Sequence, residues 1–259
     1  MLTLTTNEVT SWVGGVIWPF IRIGSMFVAA PIFGAGSVPV RVRLALALVL
    51  AWALQPYLPS VPPIDPVSLE GLLVSASQVL IGIVMGFILQ MVFSAMVLAG
   101  QAIALSMGLG FAVFVDPQSG AQVPTVSQIY VILATLLFLS MNGQLMLIDM
   151  LVRSFRLMPV GPLMLSNNAL WEIVTWGGTM YAAAMLVALP AVAALMLVNL
   201  AFGVITRAAP QLNIFAVGFP LTLMLGLVLI MFSLPTVLPR FTALFTQSFT
   251  LMFSVLGGH

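Results

Sequence analysis

Apolar positions run through this chain in long unbroken blocks, and polar ones gather in the short intervals between them. A lipid-facing barrel would alternate apolar and polar residues with a period of two, whereas these blocks are continuous, so the pattern predicts helices. A helix needs roughly 20 apolar residues to cross a hydrocarbon core of about 30 Å. Val9 to Phe33 meets that length, interrupted only by Arg22. Leu44 to Leu54 reaches it only by starting near Val38, with Arg41 and Arg43 at its mouth, and Pro56, Pro59, Pro62, Pro63 and Pro66 punctuate the residues after it.

Gly71 to Val115 is free of charge over 45 residues. One helix of that length would extend about 68 Å at 1.5 Å per residue, so the block reads as two helices or one very long one. Val123 to Ile148 is a further span, closed by Asp149, Arg153 and Arg156. A loop from Pro159 to Asn168 then precedes Ile173 to Thr206 and Leu212 to Leu238, with Arg207 between them. If Gly71 to Val115 is a hairpin, the charges put Glu8, Asp65, Glu70 and Asp116 outside and Arg41, Arg43, Arg153 and Arg156 inside.

Composition sharpens this picture. A chain of 259 residues that is 62% hydrophobic and 5% charged cannot hide its apolar surface inside a soluble globule, so it belongs in lipid or in a protein assembly. Seven Arg and six acidic residues give a net charge of +1, with no lysine. Charge so thinly spread offers no basic face for phosphates, which argues against nucleic acid as a partner. The absence of cysteine removes disulfides, thiolate nucleophiles and thiolate metal sites. The first charge is Glu8 and the first Arg is Arg22, so no basic region precedes the first apolar segment and that segment is expected to be retained.

Enzyme chemistry lacks its ingredients. A serine mechanism needs a base within reach, and the only histidine, His259, stands at the very end of the sequence. No HExxH pattern offers a zinc site, and Asp116 and Asp149 lie at opposite ends of a span, so no catalytic, metal or cofactor site is expected. The 17 methionines read as filler of irregular helix contacts.

Arg22 interrupts its apolar run near the middle, where arginine costs about 2.5–3.5 kcal/mol on insertion scales. It should therefore face protein or water, either as a buried charge with an ionic or carbonyl partner or as the lining of a passage. Gly82 and Gly86 stand four apart on one helix face, a spacing that lets two helix backbones approach closely. Two functional classes accommodate such a chain. A small-solute transporter or channel acting alone would use interrupted helices, for which Pro190, Pro210, Pro220, Pro235 and Pro239 are candidates. A subunit of a larger pore would bury its apolar faces against other chains.

Three stretches favour the second class by resemblance. Arg22 to Ala51, RIGSMFVAAPIFGAGSVPVRVRLALALVLA, and Gly108 to Gly120, GLGFAVFVDPQSG, resemble the FliR family of bacterial flagellar export-gate proteins, whose counterparts serve type III secretion injectisomes. Leu197 to Leu221 is similar to FliQ, the small two-helix subunit of the same gate, through Ala208-Ala209-Pro210-Gln211-Leu212-Asn213 and Phe219-Pro220. Ile214 and Leu221 replace the small subunit's usual Glu and Lys, so no role tied to those charges carries over.

The resemblance implies an all-α, polytopic membrane-type protein: a FliP-like part over residues 1–187, then a FliQ-like helical hairpin over 188–259, together forming part of a helical export-gate cone. It implies assembly with five copies of FliP and four of FliQ, an FlhB-type export-switch protein as a further partner, and a place in the bacterial inner membrane at the flagellar basal body. Unfolded export substrates would pass through, and the apolar helices would be held largely within the protein cone, with membrane lipid around it. The composition of Gly108 to Gly120 by itself equally suits an ordinary hairpin loop. Under the resemblance it becomes a plug. Phe111, Val113, Phe114 and Val115 would exclude water from the lumen, as apolar constrictions do. Gly108, Gly110 and Gly120 would let the segment fold into a narrow passage, and Asp116-Pro117 would turn it.

Overall fold

The structure is a computed structural model. It describes residues 6–34, 36, 38–109, 113–115, 122–162, 166–208 and 214–257, the side chains of 6–11, 113–115, 122–124 and 214–217 excepted. Seven helices dominate: α1 (Thr6–Ala29), α2 (Val40–Leu54), α3 (Leu69–Ser106), α4 (Thr125–Ser140), α5 (Gly143–Leu157), α6 (Asn167–Ala208) and α7 (Ile214–Gly257). A two-stranded antiparallel ribbon, β1 (Val113–Val115) and β2 (Gln122–Pro124), pairs Phe114 with Val123.

The long α3 is the spine, packed against α1, α4, α6 and α7. Its start is written locally. Asp65 Oδ1 accepts from the Val67 amide at 3.0 Å, and the Ser68 hydroxyl caps the helix by accepting from the Gly71 amide at 3.0 Å. Glu70 in the first turn suits the positive end of the helix dipole. Once nucleated, the helix meets no proline or charge, and it continues for 38 residues, about 57 Å. The 71–115 block is thus one long helix followed by β1, and the hairpin required by the charge topology does not form. Glu70 and β1 stand at opposite ends of α3, so one side of a membrane cannot hold both.

Two further expectations change. Val123 to Ile148 is not one span: α4 and α5 are bent by 67° at a short break, where Asn142 takes a left-handed φ of 55°. The prolines do not interrupt the last helices, since α6 runs through Pro190 and α7 through Pro220, Pro235 and Pro239. Pro210 lies outside the described residues. The turn between α1 and α2 does match an Ala-Pro-x-Phe-Gly break, closed by the Phe33 amide donating to the Pro31 carbonyl at 2.8 Å around Ile32, whose φ is 70°.

The core forms where helical stripes converge. On α7 the buried positions Val237, Phe241, Phe245, Ser248, Met252 and Val255 recur every three or four residues, the period of one helix face. Their rings continue into α3 and α4: Phe245 meets Phe138 edge-on at 5.6 Å, and Phe93 meets Phe138 at 6.0 Å and Phe241 at 5.9 Å. Edge-to-face pairs of this kind add roughly 0.5–1.5 kcal/mol beyond area burial. On α6 the buried stripe runs from Ala169 to Leu195 and then stops, leaving Met196, Leu197, Leu200 and Val204 exposed.

Candidate functional site

The ribbon grows from the C-terminal end of α3. That helix closes with two bonds, Leu109 amide to Ala104 carbonyl at 2.9 Å and Gly108 amide to Leu105 carbonyl at 3.1 Å, while Gly108 takes a left-handed φ of 80°. This pairing is a Schellman cap, and a glycine adopts its left-handed position without the Cβ penalty. The α6–α7 hairpin braces the same end. Asn199 Nδ2 donates to the Ser106 carbonyl at 3.0 Å, and the fully buried Met107 packs its side chain against Gly226. Phe219 stands 3.5 Å from where a Cβ on Gly108 would lie.

Beyond this neck, the backbone of Val113, Phe114 and Val115 forms β1, and β2 lies alongside α3 and α4. Gly110, Phe111, Asp116, Pro117 and Gly120 lie outside the described residues. The sequence pattern does not announce this ribbon, because three-residue strands are too short to show a period of two.

Gly82 and Gly86 face α1. A Cβ on Gly82 would run into Ser25 Oγ and the Arg22 carbonyl, and one on Gly86 would lie 2.7 Å from the Met26 carbonyl. The two backbones pass each other with no room for a side chain.

Arg22 is fully buried, and it faces protein. Its Nε donates to Gln78 Oε1 on α3 at 2.8 Å, its Nη1 to Ser154 Oγ on α5 at 3.1 Å, and its Nη2 to the Met158 carbonyl at 2.9 Å. The Phe155 ring lies 4.0 Å from the guanidinium carbon, close enough for a cation–π attraction. Among the described residues the ion pair is the exposed Asp149–Arg153, 2.7 Å, and it does not involve Arg22. The partners of Arg22 are hidden from sequence reasoning because Gln78 is 56 residues away and Ser154 132.

Among the described residues no group of three or more His, Cys, Asp or Glu could hold a metal ion. Five helices are long and apolar enough to cross a membrane, or six spans if the bent α4–α5 pair counts as one. Such a helical architecture, with one short ribbon and apolar residues on its outer faces, defines a polytopic membrane protein.

Residues 13–248 match the family described as bacterial export proteins, family 1. The flagellar biosynthetic protein FliR of Escherichia coli (strain K12) is 39% identical over 257 residues, 99% of this chain and 98% of that protein. Its counterpart in Pectobacterium carotovorum subsp. carotovorum is 36% identical over the same shares, and that of Bacillus subtilis (strain 168) is 33% identical over 82% of each chain. The chain belongs to the FliR family of bacterial export proteins.

Proposed function

We propose that this protein is a structural component of the flagellar export apparatus and, more narrowly, a subunit of the export gate that closes and conducts unfolded substrates across the bacterial inner membrane. Family membership supports the coarser statement. The finer one is supported by one observation: the apolar helices are too long for lipid alone. Between Glu172 and Arg207, α6 carries 34 uncharged residues, about 51 Å against a hydrocarbon core of about 30 Å. Along that length Leu197, Leu200 and Val204 are exposed, as are Met224, Met231 and Phe232 on α7. Apolar surface outside the bilayer needs protein to cover it, so this reading gives the chain apolar partner subunits.

On this reading the partners are five FliP chains, four FliQ chains and an FlhB-type switch protein, with residues 1–187 matching the larger of the two gate subunits and 188–259 the smaller. The proposed boundary falls inside the continuous α6. The segment 108–120 serves as the plug: its base is fixed by the Gly108 cap, and its apolar residues exclude water from the lumen. Co-expression with the candidate partners tests the assembly. A particle several times 27.6 kDa with unequal copies of two smaller membrane proteins is expected, and a solitary chain that binds a small solute overturns the reading. Deleting residues 110–119 from the assembled complex and recording ion conductance in a planar bilayer tests the plug. Unchanged conductance retires it.

A further inference from the structure

The guanidinium of Arg22 remains charged in a protein, and a charge taken out of water needs compensation close at hand. Here no carboxylate provides it among the described residues. Most of the compensation converges from a single place. Ser154, Phe155 and the Met158 carbonyl all belong to the last turn and cap of α5, the end at which a helix presents unsatisfied carbonyls and the negative pole of its dipole.

We propose that Arg22 is a latch: it clamps the C-terminal end of α5 against α1, and that helix end serves as its counter-charge. The arm is then fixed twice, by the 67° bend from α4 at its near end and by Arg22 at its far end. Gln78 orients the clamp from the third side, because its Oε1 accepts the hydrogen bond that Nε donates and leaves both terminal nitrogens directed at α5. The outward face of α5 carries the exposed Asp149 and Arg153, so the latch sets the angle at which those charges are presented. This assignment stands apart from the plug reading and does not depend on it.

The chain contains no cysteine, which makes single-cysteine reporters clean. Leu151→Cys reports on the buried side of α5, and Ala95→Cys on the α3 core; both parent residues are fully buried. The full chain, co-expressed with the candidate gate proteins FliP and FliQ, is labelled in native membranes with N-ethylmaleimide. Arg22→Met is expected to speed labelling at position 151 roughly tenfold, the signature of local opening, while position 95 stays protected. Arg22→Lys gives an intermediate rate, since an ammonium keeps the charge but loses the planar fork. Ser154→Ala removes the hydrogen bond from Arg22 and the one its hydroxyl donates to the Leu151 carbonyl at 2.6 Å, leaves the charge in place, and speeds labelling at position 151 about fivefold. Unchanged labelling at 151 in Arg22→Met overturns the latch, as do equal gains at 151 and 95, which indicate loosening of the whole fold. If Arg22→Met fails to accumulate, Ser154→Ala decides: no gain at position 151 sinks the proposal.

Discussion

Gly86 on α3 lies so close to Ala29 on α1 that a Cβ built on the glycine would sit 2.6 Å from the alanine's own Cβ. Backbone atoms crowd the same spot, with the Met26 carbonyl at 2.7 Å and the Ala30 amide at 2.8 Å, so the neighbours cannot swing away as a flexible side chain could. Gly86→Ala is expected to destabilise the protein by about 1–3 kcal/mol through overpacking, and Gly86→Leu to prevent assembly. Gly24 on α1 has nothing within 4 Å of its would-be Cβ. Gly24→Ala should be neutral or stabilising, by up to about 1 kcal/mol of helix propensity. Thermal unfolding of the detergent-solubilised complex measures both, and an equal loss in the two variants contradicts the packing argument.

A second pair of glycines separates rigid from yielding surroundings. A Cβ on Gly100 would lie 2.5 Å from the Ser127 α-carbon and 2.9 Å from its amide nitrogen, on a stretch of α4 that Ser127 Oγ ties to the Val97 carbonyl at 3.0 Å. The three atoms nearest to one on Gly226 are all side-chain atoms of Met107, at 2.5–2.7 Å. Methionine has three rotatable bonds and can move. Gly100→Ala should therefore cost about 1–3 kcal/mol and Gly226→Ala less than about 1 kcal/mol, an order that the same unfolding measurement reads directly.

Asn142, at φ 55°, stands at the bend between α4 and α5. Asn142→Gly preserves that left-handed conformation and should alter stability by only a few tenths of a kcal/mol, whereas Asn142→Val places a β-branched side chain there and should cost about 1–2 kcal/mol. Comparing unfolding midpoints of the two variants tests whether the bend is built by this residue.

On the proposed plug reading, changing Phe111 and Phe114 together to Ser should raise small-ion leak through the proposed gate several-fold without altering its subunit composition, because a hydrophobic seal fails when its lining is wetted. Conductance in a planar bilayer and the mass of the complex are the paired readouts. Loss of the complex itself points to a packing role for these residues instead of a seal.

Although α7 continues past the expected end at Leu238 to Gly257, the order of the apolar segments was legible because lipid and protein interiors demand the same continuous hydrophobicity. That uniformity is also why boundaries inside the segments were not. Nothing between Gly71 and Met107 distinguishes a hairpin from one rod, and only tertiary packing on both sides of α3 selects the rod. The Asn142-Gly143 dipeptide is an ordinary turn signal, and the charge-free run around it outweighs it in the sequence. Arg22 announced that it would turn away from lipid, since no lipid-facing arginine is inexpensive, but not whether it would meet protein or line a passage. Its partners could not be announced, because a glutamine and a serine more than 50 residues away carry no periodicity of their own.

The lengths of α6 and α7, 42 and 44 residues, bear on how the protein must be handled and how it must mature. A surfactant belt wets a band about as thick as the bilayer it replaces, while these rods extend roughly 63 and 66 Å. A freshly synthesised copy waiting for company therefore keeps greasy ends beyond the reach of lipid, so translation and capture by neighbouring chains have to be closely timed, and a surplus of this one chain should clump rather than wait.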